Sequence, residues 1–295
     1  MNKQQLKIIV ELSKGKSLIE IGEALEITQP TVTFHMRKLE EELGLSLYRK
    51  EKRNLVLTEA GRELIPYANQ ILKLMLEAKK KMTAVQNRQQ PKLRISASHT
   101  PANYFLPPYI EKFKEENPQL EINIAVNKAR KSIQLLKDNE IDLAVVSLQN
   151  FAVEGLNIHP LIEDKLLLAY SPDHELAGED EITVDKLQQM TFLLHEEGTT
   201  SRVVTNDWAA KNNVAMSKRK EFTSIEAIKE AVKRGSGIGI LPEKSIQQEL
   251  EGGAIKAVPL PAYEYRRCIC LAYRNEELLS PQVNSFIWFA IENMK

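Results

Sequence analysis

Residues 27–61 read ITQPTVTFHMRKLEEELGLSLYRKEKRNLVLTEAG. Thr28 can cap a helix that carries Pro30 in its first turn, where a missing N–H costs nothing. Val32, Met36, Leu39 and Leu43 are spaced by four, three and four residues, a single buried stripe, and Gly44 suits the C-terminal stop. The opposite face carries Gln29, Thr31, Thr33, Phe34, His35, Arg37 and Lys38. These are hydrogen-bonding and cationic groups suited to base edges and phosphates in a major groove. Past Gly44, LSLYRKEKRNLVLT sets two extended apolar stretches around Arg49, Lys50, Lys52 and Arg53, a β-wing with a basic tip. Wing cations meet phosphates and add affinity that weakens with salt.

Upstream, Leu6, Ile9 and Val10 lie at helical spacing in a first helix over residues 3–13, which KGK at 14–16 ends. Ser17 and Glu20 have capping-box spacing for a second helix, which runs to about Leu25. Two helices, a turn at Glu26 and Ile27, and a third helix with a polar N-terminal half form a helix-turn-helix. A basic hairpin or a polar helix face taken alone is more often solvated surface. Their joint occurrence, in this order and spacing, favours a DNA reader over residues 1–58. Phe34 suits either a thymine methyl or deoxyribose contact, or packing within its own domain. His35 reads as a contact residue, since no other His, Cys or carboxylate sits at metal-ligand spacing from it.

The charge distribution agrees. The 295 residues hold 40 Lys+Arg and 40 Asp+Glu, but residues 1–90 carry 16 basic and 11 acidic side chains, a net of +5, leaving −5 for the remainder. That asymmetry suits a nucleic-acid reader carrying a separate second function. Hydrophobic residues at 43% describe an ordinary globular chain. No apolar run exceeds six residues, against about 20 for a membrane helix. The start, MNKQQLKIIVEL, has no secretory pattern, so a cytoplasmic protein without membrane contact is expected. Cys268 and Cys270, the only cysteines, read as reduced structural residues on one strand face.

Residues 27–61 resemble the winged helix-turn-helix signature of LysR-type transcriptional regulators, and total length and domain order fit that family along the whole chain. The sequence departs from the pattern in helix two, where Ile21-Gly22 replaces paired small residues, and Gly in a helix costs up to about 1 kcal/mol against Ala. Thr58 can cap a linker helix over residues 59–87, with Pro66 kinking or starting it. Ile71, Met75, Ala78, Met82 and Val85 form a heptad-like seam on which two chains could pair; the alternative is packing on its own chain. The resemblance implies a homodimer through this helix, a homotetramer of two dimers, a roughly palindromic double-stranded DNA operator, and room for a contact with RNA polymerase.

Residues 88–295 alternate strand and helix patterns, giving two α/β lobes with open, largely parallel sheets: lobe I about 91–161 plus 268–295, lobe II about 162–267. The fold class is therefore multidomain α and α/β, and the resemblance implies lobes like those of periplasmic binding proteins. Ligands of such sheets sit beyond the carboxyl ends of strands, against helix N-termini. Two junctions fit: Ser98, His99 and Thr100, with Thr100 capping a helix that begins at Pro101, and Thr199, Thr200, Ser201 and Arg202. Hydroxyls, exposed amides and a guanidinium suit a small organic effector, expected to be a carboxylate. Each hydroxyl could instead be a simple cap, and Arg202 could be tied to Glu196 or Asp207.

No enzyme, metal or cofactor framework is read. GSGIGILP at 235–242 lies after a helix and before a strand, the reverse of a dinucleotide turn, and His195-Glu196-Glu197 lacks the second His of a zinc helix. The expected function is a DNA-binding transcriptional regulator controlled by a small effector between the lobes. A small-molecule receptor whose N-terminal domain serves assembly is the alternative.

Overall fold

The computed structural model describes all residues except 52–53, 87–90, 264–265, 275–278 and 295, and its chain divides into two compact units, residues 1–89 and 90–295. In the first unit, α1 (Lys3–Ser13), α2 (Leu18–Leu25) and α3 (Gln29–Leu43) precede a hairpin of β1 (Tyr48–Glu51) and β2 (Asn54–Leu57), then α4 (Glu59–Gln86). Helix starts are fixed by side chains. The Glu20 amide donates to Ser17 Oγ while the Ser17 amide donates to Glu20 Oε2, and Thr28 Oγ1 accepts from the Thr31 amide. Asn2 and Gln5 form a further capping box at α1.

Ile8, Ile9, Ile21, Val32, Met36, Leu39 and Leu47 make the core of this unit. Leu43, read as the fourth member of the stripe, is instead 39% exposed, being the last residue of α3 and beyond that cluster. The departure at Gly22 has a steric cause. A Cβ there would stand 2.7 Å from the carbonyl oxygen of Ile27, whose own amide donates to the Gly22 carbonyl at 2.9 Å. Glycine permits this close turn, with Glu26 in the left-handed region at φ 56°. Pro66 lies within α4, which runs on through it and does not begin there.

The second unit holds two five-stranded sheets. The first contains β3 (Lys92–Ala97), β4 (Glu121–Val126), β5 (Leu143–Leu148), β6 (Asn157–Glu163) and, from near the C-terminus, β12 (Cys268–Tyr273), in the order β4-β3-β5-β12-β6. The second contains β7 (Leu166–Tyr170), β8 (Thr191–His195), β9 (Lys218–Phe222), β10 (Ile238–Pro242) and β11 (Lys256–Pro259), in the order β11-β7-β10-β8-β9. Helices α5 (Leu106–Glu116), α6 (Ala129–Lys137) and α11 (Pro281–Asn293) belong to the first lobe. Helices α7 (Val184–Leu187), α8 (Thr200–Lys211), α9 (Ile225–Lys233) and α10 (Gln247–Glu251) belong to the second.

Each sheet is more mixed than the alternating pattern predicts. β4, β3 and β5 are parallel, but β12 pairs antiparallel with both β5 and β6; β9, β8 and β10 are parallel, but β7 pairs antiparallel with both β10 and β11. The two strands the periodicity does not reveal, β6 and β11, are edge strands that contain Pro160 and Pro259. A proline inside a strand is tolerated mainly at such edges or at bulges, and it masks the alternating signal. The chain passes between the lobes twice, at residues 164–165 and between β11 and β12.

Gly61 is the tightest backbone approach of the first unit: a Cβ would stand 2.0 Å from the Leu47 carbonyl oxygen. Gly61→Ala is expected to destabilise the protein by about 2 kcal/mol or more in urea melts. Gly178→Ala, with nothing within 4 Å of the added carbon, is expected to stay within about 0.5 kcal/mol of wild type.

Candidate functional site

Two sites can be built, one in each unit. In the first, Gln29, Phe34, Arg37, Lys38 and Arg49 are exposed, with Phe34 at 61%. Lys38 Nζ lies over the face of the Phe34 ring, 5.9 Å from its centroid, a cation–π contact. Thr31, Thr33 and His35 are half-buried. The Thr31 hydroxyl shares a hydrogen with Thr28 at 2.8 Å, and the Thr33 hydroxyl donates to the Gln29 carbonyl. His35 packs its ring edge-on to Phe34 at 5.8 Å and has its Nδ1 buried. The freely presented groups are thus Gln29, Phe34, Arg37 and Lys38, while Thr31, Thr33 and His35 also serve the helix itself. Lys52 and Arg53 lie outside the described residues. Among the described residues no group of His, Cys and carboxylates could hold a metal ion.

The second site lies between the lobes of residues 90–295. The carboxyl ends of β3 and β5 bring Ser98, His99, Thr100 and Ser147 together. From the other lobe come His195 at the end of β8, Thr199, Thr200 and Ser201 at the start of α8, and Ile225 at the start of α9; Lys128 and Arg267 complete the wall. Both junctions singled out in the sequence therefore line one cleft. Its accessible volume is about 20 Å³, room for about one water molecule.

Ser147 organises it. Its amide donates to Ser98 Oγ at 3.1 Å, its carbonyl accepts from Thr200 Oγ1 at 3.1 Å across the cleft, and its hydroxyl donates to Asp164 Oδ2 at 2.5 Å. Asp164 in turn holds Arg267. Their ion pair spans 2.8 Å at an angle too bent for a hydrogen bond, and Arg267 Nε donates to the Asp164 carbonyl at 3.0 Å. A second bridge crosses the cleft where Lys128 Nζ meets Glu196 at 3.0 Å and the Glu197 carbonyl at 2.8 Å.

Two expectations need correction. Thr100 does not cap a helix: its backbone is already helical (φ −62°, ψ −52°) and its hydroxyl makes no cap bond. The Ala102 amide reaches back to the Ser98 carbonyl, so the turn begins one residue after Ser98. Arg202 does not line the cleft. It is 5% exposed, and its guanidinium is taken up by the His195 carbonyl, Asn206, Glu221 and Glu197, the last at 2.6 Å. The carboxylates that hold it are Glu197 and Glu221; Glu196 pairs with Lys128. Thr199 does cap α8, accepting from the Arg202 amide while donating to the Glu196 carbonyl.

Lys128, Ser147, His195 and Arg267 are the polar lining residues that sequence reasoning missed. Ser147 and His195 lie at strand ends and Lys128 at the junction of β4 and α6, so the strand-end rule could have found all three; Arg267 reaches the cleft only through the fold. His195 packs against His99 of the other lobe, ring centroids 5.6 Å apart. Burial, above all, together with the nearby His99 and Lys128, holds its pKa below the ordinary histidine value against the raising effects of the Thr223 carbonyl and Glu196. Cys268 and Cys270 are buried and free, and burial pushes the Cys270 thiol up to about 12, as suits an inert core residue.

The fold and sites define a protein with a winged helix-turn-helix reader and a separate two-lobed ligand-binding unit. Residues 4–62 match the family description "Bacterial regulatory helix-turn-helix protein, lysR family", and residues 86–295 match "LysR substrate binding domain". The chain belongs to the LysR family of transcriptional regulators. It is 28% identical to the RuBisCO operon transcriptional regulator of Allochromatium vinosum, over 98% of this chain and 95% of that one. Full-length OxyR from Pseudomonas aeruginosa shares its fold with a TM-score of 0.60 at 23% identity, covering 100% of this chain and 94% of that chain. The regulatory domain of Synechocystis CcmR, solved with 2-PG, gives 0.61 at 24% identity, covering 70% of this chain and 98% of that chain. The protein is thus a DNA-binding regulator with an effector-binding domain. Among the described residues no helix is long and apolar enough to cross a membrane.

The depressed pKa of His195 makes a pH prediction. Between the ordinary histidine pKa and the lower folded value, the unfolded chain binds a proton that the folded chain does not, so stability falls as pH drops through that window. Melting temperature should decline from neutral pH into this window, and His195→Asn, which has no proton to gain, should flatten the decline.

Proposed function

We propose that a small anion binds between the two lobes, at the junctions that meet around Ser147, and that its binding alters DNA recognition by a homodimer paired through α4. One observation carries the ligand site. The first-turn amides of Thr200 and Ser201 have no partner among the described residues, at the start of a twelve-residue helix that opens onto the cleft. Unpaired N–H groups at a helix start carry partial positive charge and favour an anion. The cleft's small volume means that a ligand parts the lobes as it enters, loosening the Thr200 to Ser147 bridge. A ligand that binds the parted arrangement more tightly shifts the population toward it.

Dimer pairing is supported by α4, which presents Met75 at 45% and Met82 at 65% exposure along the seam, with Ala78 also exposed. The Val85 side chain lies outside the described residues. Covering these groups with a second copy removes apolar surface from water and sets two recognition helices on one roughly palindromic operator. Tetramer assembly and a polymerase contact follow from the same reading.

The test uses fluorescence anisotropy with DNA from upstream of the protein's own gene, and calorimetric titration with small carboxylates. Arg37→Ala is expected to weaken DNA binding about tenfold and to reduce the salt slope by about one, leaving carboxylate binding intact. Thr200→Pro, which removes one of the two first-turn amides at the first position of α8, where proline is tolerated, is expected to do the reverse, weakening carboxylate binding and sparing DNA. Unchanged DNA affinity and slope in the first would support a receptor whose N-terminal unit serves assembly. Unchanged titration in the second would move the ligand elsewhere.

A further inference from the structure

The tautomer of His195 is fixed by its surroundings. Nε2 lies 3.2 Å from the Thr223 carbonyl oxygen, which can only accept, so Nε2 carries a proton. With the imidazole neutral, Nδ1 is then a bare acceptor. It is buried and has no hydrogen-bond partner, on a side chain only 6% exposed that lines the cleft. A buried acceptor without a donor is costly, and the one aromatic ring packed on this imidazole, His99, belongs to the opposite lobe and withdraws when the lobes part.

The charges around it set the rest of the specification. His99 and Lys128 face the imidazole from the first lobe, and Glu196 follows it in the chain. Lys128 is paired with Glu196, Arg267 with Asp164, and Arg202, which binds the His195 carbonyl, with Glu197 and Glu221. Each of these cations thus already has its carboxylate. What remains for a ligand is two helix amides, several hydroxyls and one bare imidazole nitrogen, a set that fits a single negative charge better than a dianion.

We propose that the ligand of this cleft is a small hydroxycarboxylate, its carboxylate at the Thr200 and Ser201 amides and its hydroxyl donating to Nδ1 of His195. This rests on the cleft being the ligand site and adds which chemical feature the site selects. His195 is then a specificity residue: a carboxylate lacking the hydroxyl leaves Nδ1 unsatisfied in the complex.

The test is calorimetric titration of the full-length protein with matched monoanionic pairs, lactate against propionate and 2-hydroxybutyrate against butyrate, plus phosphoglycolate, whose carboxylate is joined to a dianionic phosphate, as the multiply charged probe. The hydroxylated member of at least one pair is expected to bind about tenfold more tightly or better. Phosphoglycolate is expected to be weaker than that hydroxy acid. The advantage should survive in His195→Asn, whose amide oxygen can accept, and vanish in His195→Phe. Equal affinity within each pair, or preference for phosphoglycolate, overturns the inference while leaving the cleft as ligand site, provided Thr200→Pro, which removes one of the two amides at a first helical position that tolerates proline, weakens whatever binds. Binding insensitive to Thr200→Pro overturns the cleft reading itself. Wild-type pairs decide the matter even if a His195 variant fails to fold, and proton uptake on binding, read in buffers of different ionisation enthalpy, contradicts it by showing that His195 becomes the donor. If no member of either pair binds, the hydroxycarboxylate assignment fails.

Discussion

Asp164 and Arg267 stand on the two segments by which the chain passes between its lobes, and their buried ion pair ties those crossings together. The Asp164 amide donates to the Arg267 carbonyl at 2.9 Å, and Arg267 Nε returns a bond to the Asp164 carbonyl. Removing either partner of such a pair strands a buried charge, at a cost of about 3–5 kcal/mol. Through Ser147 the same carboxylate reaches the floor of the cleft, so the crossings between the lobes and the proposed ligand site are consecutive links of one hydrogen-bonded chain. A ligand bound as proposed, at Thr200 or Ser147, would act one bond away from these crossings.

The neutral total of the sequence conceals a similar economy of charge. The reader carries a surplus of five cations, the remainder a deficit of five, and inside the binding unit the cations that line or back the cleft are each matched with a carboxylate. A surplus of five is modest, so in the proposed reading affinity for polyanionic DNA depends on where exposed cations such as Arg37 and Lys38 on α3 stand more than on bulk charge. In the same reading, selectivity for a small ligand depends on amides and one imidazole more than on net field.

Much of this was legible in the residues. Caps at Ser17 and Thr28 follow local rules and stand as read, and Thr199 caps α8, the alternative role its hydroxyl offered. Both cleft junctions were found because strand ends and helix starts are local features. What escaped was set by tertiary placement. Arg202 was available to a ligand on sequence grounds, but the fold brings Glu221 from β9 to it. Thr100 looked like a cap because Pro101 follows it, whereas the helical turn starts earlier, at His99. Arg267, 103 residues from Asp164, could not be assigned to the cleft without the strand β12 that carries it back to the first lobe. Gly22 looked like a weakness of its helix and is instead required by the approach of Ile27.

Ligand action at the Ser147 node between the lobes can be read by hydrogen–deuterium exchange on the full-length protein, with and without the carboxylate that raises its melting temperature most. Changed exchange is expected at residues 98–100, 147–148 and 195–202, and at the crossings around 164 and 267. Changes confined to other surfaces, with these segments unaltered, would contradict it.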